Sequence, residues 1–172
     1  MAAKMRVNES VRSGVAASRS AYAKTASTYI ASVGIDAAYD YHGALVVVES
    51  DDGGVVLIHP LGGLPHAPAS LPSDPCRPDE EPAAGAVRIV KEKTGLDVKI
   101  EREFTTFIQV GTPTGTMCAH GFVARITGGD LLIDGPEGPA RIYSLVDMPA
   151  IMPIRVANQR TLEEYLRQRN ST

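Results

Sequence analysis

Proline placement between residues 60 and 82 constrains the fold of this chain more than any other feature. Seven of the twelve prolines in the 172-residue sequence lie in this stretch. Proline fixes φ and lacks a backbone N–H, so this density excludes both a helix and a central strand. The stretch is therefore predicted to be a long loop. Loops of this length are uncommon in compact domains and are usually functional or disordered.

Strand signals lie on both sides of the proline-rich stretch. Before it, "ALVVVES" and "VVLIHP" are β-branched runs separated by Asp51-Asp52-Gly53-Gly54, which predicts a β-hairpin. After it, "VKIEREFTTFIQV" and "TMCAHGFVARI" are separated by the turn signal "GTPTG" and predict a second antiparallel pair. A short strand, "RIYSL", is predicted after the glycine- and proline-rich segment "DGPEGP".

Helical periodicity appears in three segments. Apolar residues three or four apart predict a helix from Asn8 to Gly34, and we interpret residues 1–36 as a helical extension on a domain surface, in a dimer contact or as a frayed leader. A second helix is predicted over residues 80–94, before Gly95, and a third over 156–169. Helices that alternate with strands predict an α/β domain over residues 37–172, with a mixed sheet between helices.

Composition and charge exclude several classes of protein. A hydrophobic content of 44% supports a core without disulfides, and a net charge of −3 argues against binding to nucleic acid. The two cysteines, Cys76 and Cys118, form no CxxC motif, which suits a reducing cytoplasm. Because no apolar run reaches about 18 residues, no membrane span is predicted. Small ligands or protein partners, including a second copy of the chain, are expected.

The second predicted helix carries a spaced pattern of charged and glycine residues. Reading from Glu80, the sequence follows E-x7-R-x3-E-x2-G-L, with Arg88, Glu92, Gly95 and Leu96 at the later positions. This pattern resembles the Nudix family, whose box reads G-x5-E-x7-R-E-U-x-E-E-x-G-U, where U is aliphatic. Together with the hairpin, the Gly62-Gly63 loop and the closing helix, the resemblance spans roughly residues 38–168. It implies a Nudix-like α/β/α sandwich.

The resemblance also implies a chemistry. Nudix enzymes hydrolyse a nucleoside diphosphate linked to another moiety, and three glutamates on one helix face hold Mg²⁺ or Mn²⁺, hard cations that prefer carboxylate ligands. Here those three positions are Ile89, Glu92 and Lys93, so one glutamate remains. A second departure is an insertion at about residues 64–79, because sixteen residues instead of five separate Gly63 from Glu80.

Two functions are compatible with this altered box. In the first, the chain is a weak or atypical phosphoanhydride hydrolase, in which Glu92 with Glu80 or Glu81 binds Mg²⁺ or Mn²⁺ and Arg88 orients a carboxylate. In the second, the chain is a catalytically defective module that binds a phosphorylated ligand or a protein partner. A phosphorylated small molecule is the expected ligand in both cases, contacted by the residues Lys93, Gly62 and Gly63.

Several other side chains are of types that can bind a metal ion. His59, His66 and Cys76, with Asp74, are zinc-compatible, but their spacing matches no compact zinc motif, so solvated loop residues are the favoured interpretation. Cys118 and His120 alternate along a predicted strand and share a face. Core packing is the favoured interpretation for the cysteine, and a hydrogen-bonded imidazole for the histidine.

Overall fold

The computed structural model describes residues 29–31, 38–59, 69–112, 114–146 and 156–171. The seven strands are β1 Tyr29–Ala31, β2 Tyr41–Glu49, β3 Val55–Ile58, β4 Ser73–Pro75, β5 Leu96–Thr112, β6 Gly115–Gly129 and β7 Ala140–Tyr143. The two helices are α1 Pro82–Thr94 and α2 Val156–Arg169. Gly62 and Gly63 lie outside these described residues, as does most of the predicted N-terminal helix.

The strands form one mixed sheet in the order β1-β5-β6-β2-β3-β7, with β4 beside β2. Strands β5 and β6 form the second predicted antiparallel pair. The pairing of β2 with β6 is parallel and runs from Tyr41 beside Met117 to Glu49 beside Arg125. This pairing joins two segments that are far apart in sequence. Residues of both strands, including His42 and His120, form one wall of the candidate site.

A helix packs on each face of the sheet. Helix α1 buries Ile89 and Val90 against a cluster that includes Val46 and Phe122. Helix α2 buries Leu162 and Tyr165 on the opposite face, in a cluster with Val47, Val55 and Leu57. Alternate residues of β2 therefore feed two separate cores, as expected for a strand that is covered on both faces. The predicted α/β/α architecture is confirmed.

The ends of helix α1 follow from local sequence. Pro82 occupies the first turn, where a missing N–H costs nothing, and Glu81 is the extended residue before it. Gly95 ends the helix in the left-handed region at φ 76°, and its N–H donates to the Lys91 carbonyl at 3.0 Å. The helix therefore begins two residues later than predicted and ends where Gly95 indicated.

Two predictions of secondary structure are wrong at particular residues. Tyr29–Ala31 form strand β1 and pair antiparallel with β5, although the sequence assigned them to the N-terminal helix. Ser73–Pro75 form strand β4 inside the predicted loop and pair antiparallel with β2. In both cases an available strand edge supplies backbone hydrogen bonds, which outweigh local propensity. Within the described residues, none of the helices is long and apolar enough to span a membrane.

Candidate active-site cleft

The framework of the box on helix α1 is built from ion pairs. Arg88 donates through Nε to Glu80 Oε1 at 2.8 Å and through Nη2 to Glu80 Oε2 at 2.7 Å. Its Nη1 donates to Glu92 Oε2 at 2.9 Å. The bidentate hydrogen bond lowers the pKa of Glu80 to about 2. Arg88 therefore contacts both Glu80 and Glu92, and its role in orienting a catalytic glutamate stays a prediction.

The two replaced box positions have structural partners of their own. Ile89 is fully buried in the core cluster beneath the helix. Lys93 has only 9% of its side chain exposed, and its ammonium lies 3.3 Å from Asp74 and forms an ion pair with Glu137. The charge of Lys93 is therefore balanced by two carboxylates, one on β4 and one on the loop before β7.

The remaining box glutamate is also occupied. Arg77 donates to Glu92 Oε1 at 2.9 Å while Arg88 holds the other carboxylate oxygen. A divalent cation on this face would need free carboxylate oxygens. It would find an apolar side chain at Ile89, an ammonium at Lys93 and a glutamate bound by two arginines. Helix α1 therefore lacks the three-carboxylate set of the family box, and it offers a cation Glu92 alone, which is shared with two arginines.

A cleft of about 890 Å³ opens beside the N-terminal end of helix α1. One wall is the turn that leads into the helix and the first helical residues, from Cys76 to Ala83. The other wall is the sheet, with His42, Glu103, His120 and Phe122. The described lining contains five carboxylates and one guanidinium, so the cleft is acidic. These carboxylates are Asp40, Asp79, Glu80, Glu81 and Glu103, and the guanidinium belongs to Arg77.

A chain of hydrogen bonds crosses the sheet wall of this cleft. His42 Nδ1 lies 2.8 Å from His120 Nε2, and His120 Nδ1 lies 2.7 Å from Glu103 Oε1. The Tyr39 hydroxyl lies 3.3 Å from His42 Nε2. Because Glu103 accepts, neutral His120 carries its proton on Nδ1 and presents a lone pair at Nε2. His42 then donates from Nδ1 to that lone pair.

The structure separates the site residues predicted from sequence. Glu80 and Glu81 line the cleft, whereas Arg88, Glu92 and Lys93 are absent from its lining. Among the zinc-compatible side chains in and next to the proline-rich stretch, Asp74 pairs with Lys93, His59 contacts the Tyr143 hydroxyl, and His66 lies outside the described residues. The metal-binding and substrate-binding roles given to the box residues stay predictions.

Sequence reasoning missed the histidine pair. It placed Cys118 and His120 on one face of a strand but did not connect them with His42, which lies 78 positions from His120. The available signal was the position of His42 at the start of a buried strand. Only the parallel pairing of β2 with β6 could show which strand faces it.

Comparison with known proteins places these features in a family. The model of the NUDIX domain matches residues 41–164. No curated protein matches the sequence significantly. A NUDIX hydrolase from Nitrosomonas europaea has a TM-score of 0.60 at 17% identity, covering 74% of this chain and 89% of that one.

Two further solved structures have the same fold. An ADP-ribose pyrophosphatase from Streptococcus suis has a TM-score of 0.57 at 19% identity and covers 76% of this chain and 91% of that one. A MutT protein from Methanosarcina mazei has a TM-score of 0.60 at 17% identity and covers 81% of this chain and 100% of that one. Nudix hydrolases generally use divalent metal ions. The family match spans most of the chain and agrees with its fold and box spacing, and the chain therefore belongs to the NUDIX family.

Proposed function

We propose that this chain is an atypical Nudix hydrolase that cleaves the phosphoanhydride of a nucleoside diphosphate linked to another moiety. The observation that carries the proposal is the cleft at the start of helix α1, where Glu80 and the turn that leads into the helix form one wall and a histidine pair lies on the other. Family membership supplies the reaction class. The name of the Streptococcus suis relative, an ADP-ribose pyrophosphatase, supports this class of substrate.

The histidine pair offers the basic groups that hydrolysis needs. Attack on phosphorus requires a group that accepts a proton from water, and an imidazole nitrogen with a free lone pair can do so. Glu103 and His42 engage the two nitrogens of His120, so the acceptor nitrogen left in the pair is Nε2 of His42, which lines the cleft. In this proposal the water is activated from the sheet wall, and Arg88 and Glu80 shape the opposite wall.

The acidic lining of the cleft affects how a negatively charged substrate could bind there. Of the five carboxylates in the lining, Glu80 is paired with Arg88, and the other four would repel a diphosphate unless a cation compensates its charge. We therefore propose that Mg²⁺ or Mn²⁺ accompanies the diphosphate of the substrate, because phosphate oxygens and water are ligands that these ions accept. Ions of this kind neutralise charge on the phosphate oxygens during hydrolysis.

A second candidate function is favoured by the ion pairs of helix α1. Lys93 is held by Asp74 and Glu137, and Glu92 is held by two arginines. The charged groups on this helix face are therefore engaged in ion pairs that stabilise the fold. The same cleft would then bind a phosphorylated ligand without cleaving it. This function requires neither water activation nor a cation on the helix.

The test is product release from nucleoside diphosphate derivatives, measured by chromatography with Mg²⁺ and then with Mn²⁺. We would compare the wild type with His120→Gln, Glu92→Gln and the control His59→Gln, a histidine that contacts Tyr143 and is absent from the cleft lining. We expect turnover in the wild type, its loss in His120→Gln, and little change in His59→Gln.

Other outcomes separate the alternatives. Turnover that is lost in Glu92→Gln and kept in His120→Gln would move catalysis to the helix and contradict the proposal. Binding of the same compounds without turnover, under either ion, would favour the binding module.

A further inference from the structure

Three metal-ligand side chains converge on the sheet wall of the cleft. They are His42, Cys118 and His120, and their ligand atoms all lie within 4.8 Å of one another. Within the part of the chain that the structure describes, no other three histidine, cysteine or carboxylate side chains bring their ligand atoms together in this way. We propose that these three residues bind a zinc ion, at a position separate from the box glutamates of helix α1.

The fold explains the convergence. In the parallel pairing of β2 with β6, His42 lies beside Cys118, and His120 follows two residues later on the same face of β6. This face is the one that helix α1 covers further along the sheet, through Val46 and Phe122. Beyond the start of the helix the face opens into the cleft, so the three side chains lie where the helix no longer covers the sheet.

The spacing of the two histidine nitrogens is close to that of a zinc site, and the three ligand atoms, with Cys118 Sγ included, lie within 4.8 Å of one another. Tetrahedral zinc with Zn–N bonds of about 2.0–2.1 Å places two nitrogen ligands about 3.3 Å apart. His42 Nδ1 and His120 Nε2 are now 2.8 Å apart because they share a hydrogen bond. Zinc would require these nitrogens to separate by about 0.5 Å, which small rotations of two partly exposed rings can supply.

The surrounding groups match those of bound histidines in metal sites. A histidine that binds zinc usually donates its other ring N–H to a carboxylate, a carbonyl or water. His120 already directs Nδ1 to Glu103 at 2.7 Å and so presents the Nε2 lone pair. His42 would shift its proton to Nε2, where the Tyr39 oxygen lies at 3.3 Å. Both histidines therefore have an outer partner in place.

Burial defines the open side of the site. Cys118 is buried with 5% of its surface exposed, whereas His42 and His120 line the cleft. A cation on these ligands would have sulfur beneath it and its fourth position towards the cleft. Three protein ligands with one open position are typical of catalytic rather than structural zinc. The acidic lining would also favour a cation at this place.

The metal site is a proposal about binding and does not depend on whether the cleft hydrolyses any substrate. Zinc would occupy His42 Nδ1 and His120 Nε2, so while zinc is bound the pair would hold the metal and would not accept a proton from water. Cys76 provides a matched control, because it is the other cysteine of the chain and lines the same cleft without belonging to the cluster. The probes are Zn²⁺ alone, quantified by elemental analysis after dialysis, and Co²⁺ alone, followed by absorption. Cobalt bound by a thiolate gives a charge-transfer band, and tetrahedral cobalt gives intense visible bands.

We expect one equivalent of Zn²⁺ and both cobalt signals in the wild type and in Cys76→Ser. Cys118→Ser is expected to lose the charge-transfer band, and His120→Asn to lose stoichiometric binding. Glu103→Gln, which keeps all three ligands, is expected to weaken the affinity for zinc about 10–100-fold. Circular dichroism of each apo-protein shows whether the variant is folded. If His120→Asn does not fold, Glu103→Gln and Cys118→Ser carry the test.

Three results would overturn the site. The first is a wild type that binds well under one equivalent of Zn²⁺. The second is a charge-transfer band that survives in Cys118→Ser and disappears in Cys76→Ser, which would assign the thiolate to Cys76. The third is an affinity that is unchanged in folded Glu103→Gln and folded His120→Asn.

Discussion

Arg88 and Glu80 form a bidentate ion pair across eight positions of sequence, with N–O distances of 2.8 and 2.7 Å. The Glu80 carboxylate also accepts the backbone N–H of Arg77 at 2.8 Å, which closes the turn that leads into helix α1. This pair therefore fixes one wall of the cleft as well as the start of the helix. It persists although two of the three box glutamates have been replaced.

The Glu80–Arg88 pair predicts a pH-dependent contribution to stability. The pKa of Glu80 is lowered from 4.5 to about 2, so its stabilising effect is present above pH 4.5 and is lost as the pH falls towards 2. Glu80→Gln is expected to lower the free energy of unfolding by about 1.5–3 kcal/mol at pH 7, as for hydrogen bonds to charged groups. The measurement is urea unfolding at pH 7, 4.5 and 3.

Glu81→Gln is the matched control for this prediction. Glu81 precedes the helix and its side chain makes no capping hydrogen bond. We expect its substitution to change stability by less than about 0.5 kcal/mol. A difference between the wild type and Glu80→Gln that stays constant from pH 7 to pH 3 would show that the charge of Glu80 contributes nothing.

Lys93 predicts a stability effect rather than an effect on phosphate affinity. Lys93→Met keeps an unbranched apolar stem as long as that of lysine without its ammonium, and it leaves Asp74 and Glu137 without their shared cation. We expect the free energy of unfolding to fall by about 1–3 kcal/mol. Lys91→Met is the control, because Lys91 is half-exposed and pairs with Asp97 at 2.8 Å, an arrangement worth about 0.2–1 kcal/mol. The measurement is chemical denaturation of both variants. Equal losses in the free energy of unfolding would contradict the structural role of Lys93.

The burial of Ile89 predicts that replacing it alone with the glutamate of the family box would destabilise the protein. Ile89→Glu would place a carboxylate in the core cluster beneath helix α1, where desolvation of the charge costs several kcal/mol. We expect a loss of at least about 3 kcal/mol in thermal or chemical unfolding, against about 0.5–1.5 kcal/mol for the control Ile89→Val. An Ile89→Glu protein as stable as the wild type would mean that this helix face reaches solvent or a cation.

The regular elements were largely predictable because their signals are local. Periodicity and neighbouring turn residues predict the helix over 156–169 and the end of helix α1 at Gly95. They also predict the two pairs of strands, β2 with β3 and β5 with β6. The strand at Tyr29–Ala31 was not predictable in this way. Its sequence is compatible with a helix, and the free edge of β5 decides the outcome.

In the candidate site, too, some features follow from local sequence and others from the tertiary structure. Sequence by itself determined the spacing of Glu80, Arg88 and Glu92, because three residues on one helix and its leading turn keep a fixed geometry. Only the tertiary structure decided what surrounds them. It brought Asp74 and Glu137 to Lys93, and it set His42 beside His120 through a parallel pairing. Such contacts join segments far apart in sequence, and the free energy of packing the whole sheet selects them, which no local pattern records.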